Sequence, residues 1–346
     1  MKKSPLSILL GCLFASVTSG LQAQTARLTF HATDDSGGAI TGLTVSAITF
    51  SKWTAGEAAG RNEYVTSRGI TDSNGFASVQ MEAIKGEIGW GVMYNDYPGD
   101  DHRFRVGDKR FYFGGGGTYY PTNEVKGKWL PWNPTLEVKA KRVLNPVPMY
   151  AKRVQSSFKL LNPKDSPAFD LVKGDWVKPY GDGEVADFIF SGIYTVTGKT
   201  RFGNMMIDTS ESSLSVTFLN EDDGIQVFRA PPQRGSALRL PYLAPKTGYN
   251  NIEKQQKLGG TTDPSKGELD ENLNYFFRVR TKKNDKGEIV SALYGKIYGP
   301  VEFGLKDEFS VKFTYYLNPE PNDRNTEFDT KRNLFPDSRA TWGLRP

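Results

Sequence analysis

Residues 274–304, NYFFRVRTKKNDKGEIVSALYGKIYGPVEFG, contain the pattern that decides the fold class. Tyr275, Phe277 and Val279 point to one face of this stretch, and Phe276, Arg278 and Arg280 point to the other, which is typical of a strand with one face in a core. The polar run 282–287 interrupts this strand and ends in a glycine, which can adopt the positive φ of a turn exit. A second apolar and aromatic run follows over residues 288–298. Two such runs with a short polar connection predict a β-hairpin in the core of a β-domain.

The spacing of the other apolar runs predicts an all-β protein with two β-sandwich domains. Short runs bounded by Gly, Pro, Asn and Asp recur along the chain, and no long segment has the helical period. The stiff, Pro-rich stretch 145–148 marks the boundary between the domains. We predict a first sandwich over residues 24–144, a larger sandwich or jelly roll over 145–317, and an irregular C-terminal tail over 318–346.

The N-terminus has the features of an export signal. Lysines at positions 2 and 3 precede a mostly apolar run, Leu6 to Val17, that is too short to span a bilayer. We interpret residues 1–23 as a Sec-type signal peptide, with cleavage before Gln24; a lipoprotein signal at Cys12 is the alternative. The mature chain would then be periplasmic, on the cell surface or extracellular, and no later segment is apolar enough to cross a membrane.

Composition argues against several kinds of site. Cys12 is the only cysteine and lies in the predicted signal, so the mature chain has no thiol for a disulfide, a nucleophile or a metal. His31 and His102 share no ligand spacing, and no serine lies in a Gly-x-Ser-x-Gly motif. Acidic and basic residues are interleaved around a formal charge of +5, which argues against nucleic acid as a partner. We therefore predict no cofactor and no metal site, although calcium in an acidic loop stays open.

One group of segments resembles a known domain family. The segments are GGAITGLTVSAITF (37–50), GITDSNGFASVQM (69–81) and GEIGWGVMY (86–94). In the second of them, Asp and Asn can bond their own backbone while Gly75 takes the left-handed position of the turn. Together they resemble the carboxypeptidase regulatory-like domain, a transthyretin-like or Ig-like β-sandwich. The resemblance implies a stabilising or presenting module rather than an active site, and the segment 95–134 departs from the family as a long loop insertion.

Aromatic residues suggest one candidate binding site. The faces of Trp and Tyr rings stack on the apolar faces of sugars, so ring-bearing loops suggest a glycan as ligand. Packing of the same rings onto the sandwich is the alternative interpretation. The candidate ligand-binding residues are Trp129, Trp132, Trp176 and Tyr180.

Charged residues suggest two further candidates. Glycoside hydrolysis needs two carboxyl groups about 5–10 Å apart, and Asp182 with Glu184 or Asp187 could meet that spacing. Solvated acids in a turn are the alternative. Arg278 and Arg280 are interpreted as the solvated face of a strand, with an anchor for an anionic ligand as the alternative. No catalytic residue is assigned.

We expect a non-catalytic structural or interaction role in the bacterial envelope or outside the cell, with a glycan or another envelope protein as partner. A carbohydrate-binding protein that uses loop aromatics, or a polysaccharide-active enzyme with a carboxylate pair, are the alternatives. The three differ in what they expose. A glycan binder needs accessible coplanar rings, and a glycosidase needs two facing acids in a cleft. An interaction module needs an exposed apolar patch or sheet edge.

Overall fold

The chain is built from strands. The computed structural model describes residues 24–34, 36–53, 62–83, 88–92, 103–106, 109–112, 116–119, 123–125, 128–130, 135–139, 141–230, 240–260, 269–270, 272–336 and 344. The strands in these ranges are β1 (Gln24–Thr33), β2 (Thr44–Trp53), β3 (Asn62–Ile70), β4 (Phe76–Ala83), β5 (Ile88–Val92), β6 (Arg103–Val106), β7 (Lys109–Tyr112), β8 (Gly116–Tyr119), β9 (Asn123–Val125), β10 (Lys128–Leu130), β11 (Thr135–Lys139), β12 (Lys141–Val143), β13 (Val147–Phe158), β14 (Ala168–Asp170), β15 (Asp175–Trp176), β16 (Phe188–Phe202), β17 (Met205–Thr217), β18 (Gly224–Arg229), β19 (Ile252–Gly259), β20 (Leu273–Lys283), β21 (Ile289–Ile297), β22 (Glu302–Gly304), β23 (Phe309–Leu317) and β24 (Phe328–Asn333). The described residues contain no helix, which confirms the all-β prediction, and therefore none that could cross a membrane.

The N-terminal strands form several sheets. One has the order β11-β1-β4 and another the order β3-β2-β5-β8, and both contribute buried apolar side chains such as Phe30 and Val45. The predicted loop insertion 95–134 contains strands β6 to β10 among its described residues, so it is not simply a loop. These strands belong to the sheet β12-β7-β6, to the pair β10-β9 and, for β8, to the sheet of β5.

The predicted turn around Gly75 is formed as its residue types require. One carboxylate oxygen of Asp72 accepts hydrogen bonds from the backbone N–H groups of Asn74 and Phe76. Gly75 has a φ of +81°, and a Cβ there would lie 2.4 Å from the carbonyl oxygen of Ala32. Only glycine meets both conditions, because other residues rarely adopt this φ and would clash with the backbone.

The C-terminal half is a sandwich of two large sheets. The five-stranded sheet has the order β15-β14-β16-β17-β19, and the seven-stranded sheet has the order β18-β20-β21-β23-β13-β24, with β22 also paired to β23. Aromatic rings from the two sheets meet in one core, as in the contacts of Phe188 with Phe277 (5.1 Å between centroids) and Phe190 with Phe313 (5.7 Å). Tyr275, like Phe277, is fully buried in this core, so the predicted hairpin β20–β21 lies at its centre.

The tail predicted to be irregular is part of the larger sheet. Strand β24 pairs in parallel with β13, and Phe328 is buried in a small cluster on that sheet. The carboxylate of Glu327 accepts hydrogen bonds from the N–H groups of Leu144 (2.6 Å) and Asn145 (2.9 Å), which ties the tail to the predicted inter-domain stretch. Polar side chains of the tail bond backbone groups of neighbouring segments, a role that composition alone does not distinguish from that of loop residues. The domain division itself stays a prediction.

Candidate functional site

The candidate ligand-binding residues lie in different environments. Trp176 is only 4 % exposed, its Nε1 donates to Ser156 Oγ (2.8 Å), and its ring packs edge-on against Phe169 (5.2 Å between centroids). Its faces are therefore inside the aromatic core and not accessible to a glycan. Strand β10 contains Trp129, whose side chain is outside the described residues, as is the whole of Trp132.

Tyr180 is partly buried and has partners for both its ring and its hydroxyl group. The ring stacks on Phe158, with 4.7 Å between centroids. The hydroxyl donates to Asp165 Oδ2 (2.6 Å) and accepts from the backbone N–H of Leu161 (3.0 Å). These contacts fix the ring against the sandwich, as in the packing alternative. A glycan-binding role for the candidate residues as a group stays a prediction.

The acids that the sequence singled out lie in different environments. Asp182 and Glu184 are exposed, as in the alternative of solvated turn acids, and Glu184 forms an ion pair with Lys173 (3.0 Å). Asp187 is buried and bound by an arginine from the opposite sheet, as described next. The described part of the chain contains no cluster of three or more His, Cys, Asp or Glu side chains that could hold a metal ion.

Arg280 joins two buried carboxylates across the sandwich. Its Nε donates to Asp187 Oδ1 (2.9 Å), and its Nη2 donates to Asp187 Oδ2 (2.8 Å) and to Asp170 Oδ1 (2.8 Å). The side chains of Asp187 and Asp170 are 1 % and 2 % exposed, and that of Arg280 is 27 % exposed. The bidentate contact with Asp187 is the stronger geometry for a guanidinium and a carboxylate. We call Arg280, Asp170, Asp187 and Asp223 the Arg280 network.

A bulge in β20 turns Arg280 towards these acids. Alternation from Tyr275 would place Arg280 on the outer face of the sheet, but the pairing with β21 shifts register between Val279 and Lys282. Arg280 has a φ of +57°, a left-handed conformation that costs a non-glycine residue about 1–3 kcal/mol. Asp223 stabilises this bend, because its carboxylate accepts the N–H groups of Arg280 (2.9 Å) and Thr281 (2.9 Å).

The prediction that Arg278 and Arg280 form the solvated face of a strand is wrong, because both guanidinium groups bind groups of the same chain. Arg280 does anchor anions, but they are carboxylates of the same chain rather than a ligand. Arg278 donates from Nε (3.1 Å) and Nη2 (2.5 Å) to the carbonyl oxygen of Asp222, and its guanidinium lies 5.0 Å from the ring centroid of Tyr249. Neither residue forms a solvated face. Strand alternation could not find the network, because a bulge breaks the period on which the prediction rests.

Burial and hydrogen bonding set the protonation of the network. Burial raises the pKa of Asp187 above its ordinary value of 3.8, although Arg280 opposes this effect. Burial likewise raises the pKa of Asp223. For Asp170, burial acts in the same direction, but the backbone N–H groups of Lys173, Val185 and Glu184 and the charge of Arg280 together lower its pKa. The network is a buried ionic clamp between the sheets, and its acids are not exposed as a glycosidase pair must be.

An open cleft is lined by residues of β16, β17 and β19 and by residues 304–306. It has a volume of about 680 Å³ and is lined by apolar and polar side chains that include Tyr194, Met206, Ser212, Lys257, Leu305 and Lys306. A second cleft of about 450 Å³ shares Tyr194, Leu305 and Lys306 with the first. Gly192 allows this leucine to approach β16, because a Cβ there would lie 2.7 Å from Leu305 Cδ2.

Lys257 fixes the wall of the larger cleft. Its Nζ donates to the carbonyl oxygen of Phe303 and lies 4.6 Å from the centroid of the Phe303 ring, which connects β19 to β22. Burial lowers the pKa of Lys257, and the charge of Glu302 opposes this shift. With its ammonium group directed at a carbonyl of the same chain, Lys257 acts as a wall contact that joins the two sheets.

The hairpin of β16 and β17 extends beyond its neighbours. Strand β19 pairs with β17 only over Ser210–Thr217, and β14 pairs with β16 only at Phe188 and Ile189. Among the described residues, 197–209 therefore form a two-stranded segment with no third strand, and we call this segment the ribbon. It ends in the two-residue loop Gly203-Asn204, in which Gly203 has a φ of +59°.

The tip of the ribbon exposes large apolar side chains. Phe202, Met205 and Met206 are 61 %, 64 % and 63 % exposed. The ribbon was not predicted from the sequence, although a Gly-Asn pair between two alternating runs is a recognised signal for a two-residue hairpin loop. A local sequence pattern cannot show how far a third strand covers the hairpin, because this depends on where β19 stops pairing with β17.

Comparisons with known proteins do not place the chain in a family. No family model matches it, and no curated protein sequence matches it. Among solved structures, it is similar to the full-length major pilin SpaD from Corynebacterium diphtheriae, with 11 % identity over 92 % of this chain and 85 % of that chain and a TM-score of 0.22. It is also similar to BcpA, the major pilin subunit of Bacillus cereus, with 9 % identity over 84 % of this chain and 95 % of that chain and a TM-score of 0.19. Likenesses at these TM-scores carry no argument about function.

Proposed function

We propose that the chain is an exported protein with a structural or interaction role, and that the ribbon is its contact element. Export is supported by the predicted signal peptide over residues 1–23. A presenting role for the N-terminal part is supported by its resemblance to the carboxypeptidase regulatory-like domain. The observation that carries the proposal is the ribbon, which exposes Phe202, Met205 and Met206 by more than half on a segment that no third strand joins in the described part of the chain.

The ribbon does not serve the core, which supports a role outside it. The core-facing positions of β17 are buried from Ser210 onward, but every residue from 201 to 206 is exposed. A two-stranded segment has little stability of its own in water. Clustered apolar side chains at such a site mark contact surfaces in soluble proteins, whereas single exposed apolar residues need no explanation.

Features of β16 favour the tip over the strand edge as the contact. A register shift between Val196 and Gly198 indicates a bulge, and Lys199 and Arg201 follow it. Bulges and basic side chains are the usual means by which an open edge is protected from pairing with other chains. The bulge and the basic side chains do not shield Phe202, Met205 and Met206 at the tip, which stay exposed.

The test is retention of the exported chain by the cell envelope. The full chain is expressed in a bacterial host, and its distribution between envelope and soluble fractions is compared with that of a tip variant, Phe202→Ser/Met205→Ser/Met206→Ser. The matched control is Leu161→Ser/Leu219→Ser, which removes apolar side chains that are 69 % and 77 % exposed elsewhere. We expect the tip variant to be released and the control to be retained. Equal distributions for all three folded proteins would overturn the proposal.

A further inference from the structure

We infer that the tip of the ribbon inserts shallowly into the interface of an anionic phospholipid bilayer. This inference rests on the proposed function and names the partner of the same contact element. Three properties of the ribbon support it: apolar side chains on both faces, basic side chains directly behind them, and an apolar area that is small for a protein partner.

Both faces of the tip carry apolar side chains. Phe202 and Met205 are opposite each other in the β16–β17 pairing and therefore lie on the same face. Met206 is opposite Arg201 and lies on the other face, which faces the core further along the hairpin. A protein groove that covers one face of a ribbon leaves the other in water. A bilayer interface surrounds a tip that enters end-on, so it can cover all of these side chains.

Basic residues form a collar behind the apolar tip. Arg201 directly precedes Phe202, and its Nε donates to the carbonyl oxygen of Gly203 in the loop (3.0 Å). Lys199 is two positions further back and lies opposite Asp208, the only acidic residue of the ribbon, which leaves the ribbon with a net charge that is positive. Long basic side chains can place their charge at headgroup level while an adjacent apolar group inserts. Each such charge near an anionic surface adds about fivefold to the partition coefficient.

The size of the patch also favours a bilayer. A stable protein interface buries about 800 Å² on each partner. The tip offers three large side chains, each only partly exposed, and its loop contributes Gly203 and Asn204. Reversible binding to a bilayer interface needs a smaller apolar area than this, because the free energies of apolar insertion and electrostatic attraction add together. The polar loop is compatible with shallow insertion, since headgroups and water remain available to it.

The first experiment measures binding of the chain from Gln24 onward to vesicles by co-sedimentation. Vesicles of phosphatidylglycerol and phosphatidylethanolamine are compared with vesicles of phosphatidylcholine. We expect binding to the anionic vesicles that falls at least about tenfold in the tip variant. It should also fall about fivefold for each charge removed in Lys199→Gln/Arg201→Gln and weaken in salt. Leu161→Ser/Leu219→Ser should bind like the wild type.

The second experiment locates the contact. Cys12 is the only cysteine and lies in the predicted signal peptide, so one introduced cysteine in the mature chain can be labelled uniquely. An environment-sensitive fluorophore at Asn204→Cys should shift to shorter wavelength on the anionic vesicles and be quenched by brominated lipid. The same fluorophore at Leu219→Cys should show no wavelength shift and no quenching, because this position stays in water.

The outcomes separate this inference from the proposed function. Vesicle binding that is absent, or equal in wild type and tip variant, overturns the bilayer inference. If envelope retention in cells nevertheless depends on the tip, the ribbon contacts a protein and the proposed function stands. If retention is also independent of the tip, both are wrong.

Discussion

Removal of the Arg280 guanidinium should destabilise the C-terminal sandwich more than any exposed substitution. In Arg280→Met, Asp187 loses both of its side-chain hydrogen bonds and retains the backbone N–H of Leu171 (2.9 Å). Asp170 loses one hydrogen bond but keeps those from four backbone N–H groups, those of Val172, Lys173, Glu184 and Val185. The uncompensated charge therefore falls mainly on Asp187, whose side chain is 1 % exposed. Breaking one side of such a buried pair costs about 3–5 kcal/mol.

A double variant separates the ion pair from simple packing. Arg280→Met/Asp187→Asn removes the unpaired charge, so it should be more stable than Arg280→Met alone even though it carries one change more. Arg280→Gly should be less destabilised than Arg280→Met by about 1 kcal/mol, because glycine accepts the φ of +57° without strain. If Arg280 were at a solvated strand position, the double variant would not be more stable than Arg280→Met, and Arg280→Gly would not be less destabilised than Arg280→Met.

The measurement is urea unfolding at neutral pH, followed by near-UV circular dichroism of the aromatic core. Midpoints are compared at equal m-values, so that a change in midpoint reports a change in the free energy of unfolding. A loss below about 1 kcal/mol in Arg280→Met, or a double variant that is no more stable than Arg280→Met, would refute the clamp. The first result would mean that the pair is worth no more than an exposed ion pair.

Other substitutions test the protonation and packing of particular residues. Because the pKa of Asp187 is raised above 3.8, the native chain binds more protons there than the unfolded chain as pH rises from 3.8. The stability of the wild type relative to Asp187→Asn should therefore fall with rising pH through that window, and urea midpoints across it give the sign. Gly295→Ala should cost about 2 kcal/mol or more, since a Cβ would lie 2.2 Å from a ring carbon of the buried core, whereas Gly287→Ala has no atom within 4 Å and should cost about 1 kcal/mol in thermal unfolding. Glu327→Gln leaves one acceptor for the two N–H groups of residues 144–145, so cleavage there by a protease should accelerate while the core stays folded.

The sequence predicted those parts of the fold that depend on alternation alone. Tyr275, Phe277 and Val279 are buried in the sandwich core as the period of two requires. Arg280 follows in the same strand and departs from it, because the register shift and a positive φ reverse its direction. A local pattern cannot show such a reversal when the partners, Asp170 and Asp187, lie far away in the sequence.

The prediction of an irregular C-terminal tail failed because it rested on polar composition rather than on alternation. Residues 318–329 include Asn318, Asn325 and Glu327, which are buried and hydrogen-bonded to backbone groups. Their residue types are those of a loop. In the fold, their side chains form hydrogen bonds with backbone groups of neighbouring segments. Trp176 shows the converse: its position near polar turn residues predicts an accessible ring, whereas its faces lie in the aromatic core.

The position of the clamp along β16 links stability to the proposed contact. Asp187 directly precedes β16, so the Arg280 network fixes the base of the hairpin against the opposite sheet. Leu305 packs against Gly192 further along the same strand, and Lys257 joins β19 to Phe303 near the last residues that a third strand covers. Among the described residues, no strand pairs with the hairpin beyond Ser210. The chain thus holds the root of the hairpin by buried charge and packing and leaves the apolar tip exposed, which is the arrangement that an end-on contact requires.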